Sequence, residues 1–190
     1  MNERSWLERQ LRSGERVLWS GHPETGLLFT GPDVALVPFS AIFATLSIGV
    51  LLGSLSRDPP RLDRVLVAVV FSILSVYLLI GRFPVRQWLK KGTQFVVTSQ
   101  RLLILRRKVR GREVEAFELS QLGPTRRRIR RDGIGTVEFG DVAYWRTWYG
   151  NTGLEPLGTG ERNPVPIFFD IRDAEDVAEL VDDLRSKASS

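Results

Sequence analysis

Two long segments without a charged side chain constrain the fold of this chain more than any other feature. Residues 34–55 give 22 such residues and residues 65–81 give 17. As helices they would be about 33 Å and 25 Å long, and about 20 apolar residues in a helix cross the hydrocarbon core of a bilayer. The sequence therefore predicts two transmembrane helices. A soluble protein with a buried helical hairpin is the alternative, but 22 uncharged residues leave no polar face for water.

The link between the two segments indicates a helical hairpin with both termini on one side of the membrane. Pro59 and Pro60 end helices and favour a tight turn. The link carries three Lys/Arg, whereas residues 1–33 carry four and residues 82–91 another four. Positive charge concentrates in cytoplasmic loops. We therefore predict a multi-pass protein of the cell (cytoplasmic) membrane with a cytoplasmic N-terminal segment, residues 1–33, and a cytoplasmic C-terminus.

A stripe of small residues runs along the first predicted helix at four-residue spacing. Its members are Ala41, Thr45, Gly49 and Gly53. Small residues let helix backbones approach closely. The stripe predicts either packing within the hairpin or a homo-oligomer held together through it.

The net charge of +5 conceals a strong asymmetry along the chain. Residues 82–131 carry a net +12, residues 132–190 a net −7, and residues 1–81 a net of zero. A basic block directly after a membrane segment is attracted to an anionic leaflet. Pairing of the basic block with the acidic C-terminal third is an equally good interpretation, so both stay open.

The hydrophobic periodicity changes after a basic juxtamembrane linker, residues 82–91. Short runs rich in β-branched and aromatic residues, separated by turn residues, predict about seven antiparallel strands. An amphipathic helix over residues 173–188 ends the chain. This order predicts a small mainly-β barrel or sandwich closed by a C-terminal helix, over residues 92–190. The predicted strands cover residues 93–99, 101–108, 112–119, 126–131, 136–139, 143–149 and 166–171.

Several short motifs, taken in order, resemble the bacterial pleckstrin-homology (PH-like) membrane proteins with an N-terminal pair of transmembrane helices. They are residues 14–23 (GERVLWSGHP), 81–83 (GRF), 93–98 (TQFVVT) with 100–102 (QRL), 135–140 (GTVEFG) and 168–174 (FFDIRDA). The resemblance implies a PH-like domain and an adaptor-like role, and it implies no reaction. The phosphate-binding first hairpin loop of eukaryotic PH domains has no counterpart between the first two predicted strands, where only Ser99 and Gln100 are available.

Two groups of basic residues in this domain are candidate contacts for anionic lipid headgroups or a protein partner. The first contains Arg106, Arg107, Lys108, Arg110 and Arg112, and the second contains Arg126, Arg128 and Arg130. Arg127 and Arg131 complete a basic strand that we expect at a sheet edge, where charge discourages further strand pairing. Nucleic acid is disfavoured because no recognition helix or aromatic stacking motif accompanies these residues.

The run of aromatic residues at 144–149 is a second candidate contact. Strand alternation puts Trp145 and Trp148 on opposite faces, so that one of them packs in the core or loop and the other is an anchor for a partner. His22, the only histidine, is expected in an exposed loop.

No nucleophile–base pair, metal cluster or phosphate-binding glycine loop is recognisable, so we expect no enzyme, no cofactor and no metal site. The favoured function is a membrane-anchored binding or scaffold module with a basic surface on the cytoplasmic side. Two alternatives remain: a subunit of an integral membrane enzyme in envelope or lipid processing, and a structural dimeric anchor.

Overall fold

A computed structural model describes residues 7–26, 31–57, 62–108, 111–141, 152–154 and 165–188. The chain divides into two compact units. The helical unit comprises residues 26–88 and 144–160, and the sheet unit comprises residues 1–25, 89–143 and 161–190. The sheet unit is therefore assembled from three separate stretches of chain, and the helical unit from two.

The helical unit contains the two long apolar helices that the sequence predicts. Helix α1 runs over Asp33–Leu55 and helix α2 over Leu62–Val76. Helix α2 continues through a π-helical turn, Tyr77–Gly81, into helix α3, Arg82–Lys91, so that Leu62–Lys91 forms one helical stretch of 30 residues. By length and composition both stretches can cross a membrane. Residues 82–91, interpreted from the sequence as a linker, are helical.

The two long helices pack through serine and alanine, not through the predicted glycine stripe. The buried positions of α1 include Ser40, Ser47 and Ser54, seven residues apart, and those of α2 include Ala68 and Ser72. Each of the three α1 hydroxyl groups donates to the carbonyl oxygen four residues earlier in its own helix, so a small polar side chain can be buried there.

The predicted stripe therefore needs a correction. Its four residues are exposed, and an added Cβ at either glycine would meet no other atom within 4 Å. The interpretation that this stripe packs within the hairpin is wrong, because the packing face lies about one position away around the helix, at Ser40, Ala44, Ser47 and Ser54.

Within the described residues, the sheet unit contains seven antiparallel strands in two sheets. The first sheet has the order β1-β2-β3-β4 and the second the order β5-β6-β7. Six strands coincide with predicted strands to within two residues at each end, whereas the predicted strand at 143–149 lies outside the described residues. The strands are β1 Val17–Gly21, β2 Thr93–Thr98, β3 Arg101–Lys108, β4 Gly111–Glu118, β5 Thr125–Ile129, β6 Gly135–Phe139 and β7 Ile167–Ile171.

Strand β1 was not predicted, and it changes the domain boundaries. Val17 to Gly21 pair with residues 95–98 of β2, so the segment before the apolar helices is the edge strand of the first sheet. The sequence interpretation had placed the whole β domain in residues 92–190. The structure instead assigns residues 1–25 to the sheet unit as well, because residues 26–88 of the helical unit are inserted in the chain between β1 and β2.

The core of the sheet unit lies between the two sheets and the C-terminal helix α4, Ala174–Ala188. Phe168 is its centre: its ring stacks on Phe95 at 4.5 Å and on Trp19 at 6.1 Å, and it meets Phe139 edge-on at 5.2 Å. Val177 and Val181 of α4 are fully buried against this core, as the spacing of apolar residues predicts. The strands in the described part of the chain form two sheets and do not close into a barrel.

Candidate functional site

The two groups of predicted basic residues have different surroundings. Arg126 and Arg128 of the second group lie on β5, which is an edge strand as expected, and Arg130 follows this strand. Arg126 and Arg128 flank the buried carboxylate of Glu138 at 3.8 and 3.9 Å. Both Glu138 oxygens lack a hydrogen-bond partner in the described residues, so these two guanidinium groups supply its positive surroundings.

Two further arginines, on β5 and just after it, also lie near acidic side chains. Arg127 lies 3.7 Å from Glu179 and 3.9 Å from Glu175 of α4, and Arg130 lies 3.6 Å from Asp132. Such exposed pairs contribute only about 0–1 kcal/mol each. They nevertheless show that the second basic group faces acidic residues of the same chain, which is one of the two interpretations that the sequence left open.

Three residues of the first basic group, Arg106, Arg107 and Arg112, line a small cleft of about 60 Å³ in the sheet unit. We call this the basic cleft. Among the described residues, its lining includes no Asp or Glu. Acidic residues lie just outside the lining: Glu115 is 3.6 Å from Arg106, and Glu113 is the cross-strand partner of Arg106. The basic cleft is lined by His22, Lys91, Gly92, Thr93, Gln94, Leu105, Arg106, Arg107 and Arg112.

The pairing of β3 with β4 sets two like charges opposite each other. Arg107 and Arg112 are direct cross-strand partners near the end of this hairpin. Like charges in directly opposite positions destabilise a sheet. The pair therefore places two guanidinium groups side by side in the lining of the basic cleft.

A glycine lets the end of α3 approach β3 closely. The backbone N–H of Arg107 donates to the carbonyl oxygen of Gly92 at 2.7 Å. A Cβ added at Gly92 would lie 3.0 Å from the Cβ of Arg107 and 3.4 Å from its carbonyl oxygen. Gly92 therefore sets the distance between Lys91 and Arg107 on the two sides of the basic cleft.

His22 lies directly after β1 and completes the basic cleft from another side. Its Nδ1 lies 3.0 Å from the carbonyl oxygen of Thr93. Because a carbonyl oxygen can only accept, Nδ1 carries the hydrogen of this bond. Nε2 is then the ring nitrogen left for a ligand. The sequence interpretation missed His22 because it did not recognise β1, the strand that brings this residue beside Thr93.

A buried ion pair holds both flanks of the basic cleft. The ammonium group of Lys90 donates to the Oδ2 atom of Asp170 at 2.6 Å and to the carbonyl oxygen of Glu24 at 3.3 Å. Lys90 precedes Lys91, and Glu24 follows His22 by two residues. The ion pair therefore holds the last residues of α3 and the segment after β1 where each supplies a lining residue.

The other predicted site residues do not join the basic cleft in the described part of the chain. The Lys108 side chain, Arg110, Trp145 and Trp148 lie outside the described residues. Among the described residues, no three His, Asp or Glu side chains are grouped so that they could hold a metal ion.

The helical unit contains a separate buried ion cluster. The carboxylate of Asp33, the first residue of α1, accepts hydrogen bonds from Arg82 and Arg86 of α3. Tyr77, in the π-helical turn, donates from its hydroxyl to the carbonyl oxygen of Gly153 at 2.7 Å. Gly153 has φ of +82°, and an added Cβ would collide with the carbonyl oxygen of Arg82. The cluster is thus closely covered.

Comparison with known proteins found no matching family model, no similar curated protein and no similar solved structure. What the chain binds has to be inferred from the charge and geometry of its own residues.

Proposed function

We propose that this chain is a membrane-anchored PH-like binding module. Its basic cleft takes an anionic partner on the cytoplasmic side of the cell membrane. The observation that carries the proposal is the lining of the cleft, with four Lys/Arg side chains, one histidine and no carboxylate. The two long apolar helices support the membrane anchor. The order of seven strands followed by a C-terminal helix supports the PH-like assignment.

The anionic leaflet of the membrane is the partner that the chain itself favours. Lys91 follows Gly81, the end of the second uncharged segment, by only ten residues, and all of them are helical. Basic side chains near anionic headgroups contribute about 1 kcal/mol each. The cytoplasmic orientation rests on the distribution of Lys and Arg around the hairpin.

Removing two charges from the basic cleft is expected to weaken binding of anionic lipid about 30-fold, since two charges contribute about 2 kcal/mol. The variant is Arg107→Gln with Arg112→Gln in the full chain, purified in a nonionic detergent. Affinity for a short-chain fluorescent phosphatidylglycerol is measured by anisotropy. Raising the salt concentration should weaken binding to the unmodified chain more than binding to the variant, because salt screens the charges that the variant lacks.

The matched control removes the same number of positive charges from another part of the sheet unit. Arg130→Gln with Arg131→Gln removes two positive charges from exposed positions after β5, outside the basic cleft. We expect this control to bind within about two-fold of the unmodified chain. Equal losses in both double variants would show that binding follows net charge alone and would contradict a role for the cleft.

A structural dimeric anchor is a second candidate function, favoured by the exposure of the small-residue stripe on α1. If two copies pair through this face, Gly49→Leu with Gly53→Leu should abolish crosslinking between chains in the membrane, because bulky side chains prevent close approach. The matched control is Leu46→Ala with Leu52→Ala at exposed positions off the stripe. Unchanged crosslinking in the glycine double variant would exclude dimerisation through this face.

A further inference from the structure

We propose that the basic cleft binds one phosphate monoester group and that His22 is the residue that distinguishes a monoester from a diester. This inference rests on the proposed function and narrows it from an anionic partner to one ligand chemistry. The group can belong to a lipid headgroup or to a soluble phosphorylated compound, since both present the same three terminal oxygens.

The size of the basic cleft limits the ligand to one small group. A volume of about 60 Å³ holds several water molecules, since one needs about 10–15 Å³ by the same measure. Pockets for drug-sized ligands are about 300–1,000 Å³. The cleft therefore accommodates the end of a ligand, and the rest of the ligand stays outside.

The arrangement of donors matches a phosphate better than a carboxylate. The basic residues come from three directions: Lys91 from the end of α3, Arg107 from β3 and Arg112 from β4. A phosphate monoester carries a charge of about −1.5 to −2 and presents three acceptor oxygens. A carboxylate has one charge and two oxygens in a plane, which suits a single guanidinium group.

His22 provides the distinction between a monoester and a diester. With Nδ1 donating to Thr93, neutral His22 presents Nε2 as an acceptor, and protonated His22 presents it as a donor. The second pKa of a phosphate monoester is about 6, so near neutral pH a monoester exists both with and without a P–OH group. Nε2 can pair with either form. A diester has no P–OH group to offer, and one fewer terminal oxygen.

The test uses the full chain in a nonionic detergent and titrates it calorimetrically with glycerol 3-phosphate, a monoester, and with dimethyl phosphate, a diester. We expect saturable binding of one monoester per chain, about ten-fold or more tighter than the diester. Arg107→Gln should weaken monoester binding about ten-fold, and Arg130→Gln should leave it unchanged. His22→Ala should lower the monoester-to-diester ratio toward one.

Gly92→Ala adds a variant that keeps every charge. The added Cβ would press on Arg107 and shift it. If the monoester binds in a discrete site, its affinity should fall about ten-fold. If it is attracted only by the net charge of the chain, its affinity should not change. Thermal unfolding checks that the Gly92→Ala variant is folded. If it is not folded, the affinity of the Arg107→Gln variant for the monoester tests the inference instead.

A second arm identifies the source of the group. Nanodiscs containing phosphatidic acid, a monoester lipid, or phosphatidylglycerol, a diester lipid, compete with glycerol 3-phosphate. Competition by phosphatidic acid alone supports the inference with a lipid source, and saturable glycerol 3-phosphate binding without competition supports it with a soluble source. Equal binding of monoester and diester overturns the inference but leaves the proposed function standing. No binding of any anionic probe overturns both.

Discussion

Replacing Asp33 with asparagine is expected to destabilise the helical unit by about 3–5 kcal/mol, the cost of breaking a buried ion pair from one side. The Asp33 and Arg82 side chains are each only 1% exposed, and that of Arg86 is 2% exposed. One carboxylate faces two guanidinium groups, so the substitution leaves two buried positive charges without the negative charge that they share. Asparagine has nearly the same size as aspartate. The loss of stability therefore measures the removal of the negative charge and not the creation of a cavity.

The matched control is Asp63→Asn. Asp63 lies in the first turn of α2, carries the same charge and is exposed. Unfolding of each purified variant is followed by circular dichroism in mixed micelles with increasing sodium dodecyl sulfate. The Asp33 variant should unfold at a much lower detergent fraction, and the control within about 0.5 kcal/mol of the unmodified chain. Similar unfolding of the two variants would show that the cluster contributes little net stability.

The local features of the fold were predictable because each follows from a short stretch of sequence. The uncharged segments gave the two apolar helices, and the spacing of Val177 and Val181 gave α4. The short runs of β-branched and aromatic residues gave six of the strands. Each of these patterns depends on residues within one element, which is what hydrophobic periodicity can detect.

The features that were missed depend on residues far apart in the chain. Strand β1 is five residues long and pairs with β2 across the inserted helical unit, for example Val17 with Thr98. A single short edge strand shows little alternation, and its partner cannot be identified locally. For the same reason the sequence could not show that Asp33, just before the first uncharged segment, pairs with Arg82 and Arg86, just after the second.

Of the candidate site, only its richness in Lys and Arg could be predicted from the sequence. The concentration of Lys and Arg was evident, but nothing in the sequence separated the arginines of β5, which face Glu138 and α4, from those of the basic cleft. The difference depends on cross-strand register, because the register opposes Arg126 to Glu138 but opposes Arg107 to Arg112. His22 joins the site only through the pairing of β1 with β2, and Lys91 joins it through the contact between Gly92 and Arg107 of β3.

Acid is expected to weaken the sheet unit through Glu15, whose carboxylate lies just before β1. Burial alone would raise the pKa of Glu15. Hydrogen bonds from Arg101, from the Arg12 backbone N–H and from the Thr98 hydroxyl outweigh burial and lower the pKa from 4.5 to about 2. Arg101 donates to both carboxylate oxygens, at 2.9 and 3.0 Å. The interaction joins the N-terminal segment to the hairpin formed by β2 and β3.

This lowered pKa fixes the direction and range of the pH dependence. Between pH 4.5 and about 2 the unfolded chain binds the proton and the folded chain does not, so stability rises with pH in that range. The contribution is complete above pH 4.5 and is lost as the pH falls to about 2. A shift of this size corresponds to about 3 kcal/mol.

Glu15→Gln isolates this contribution from the other carboxylates. The free energy of unfolding of the sheet unit is compared for the unmodified chain and the variant at several pH values. It is obtained from urea titrations followed by tryptophan fluorescence in nonionic detergent. We expect the difference to be about 3 kcal/mol above pH 5 and to shrink toward zero near pH 2. Glu8→Gln, at an exposed position seven residues earlier, is the control and should leave stability unchanged. If the difference in unfolding free energy between the unmodified chain and Glu15→Gln did not depend on pH, the hydrogen bonds from Arg101 would not favour the charged carboxylate. Leu7 packs with Leu103 and Leu105 on the outer face of the first sheet, so loss of the Glu15 contacts should also release this end of the chain.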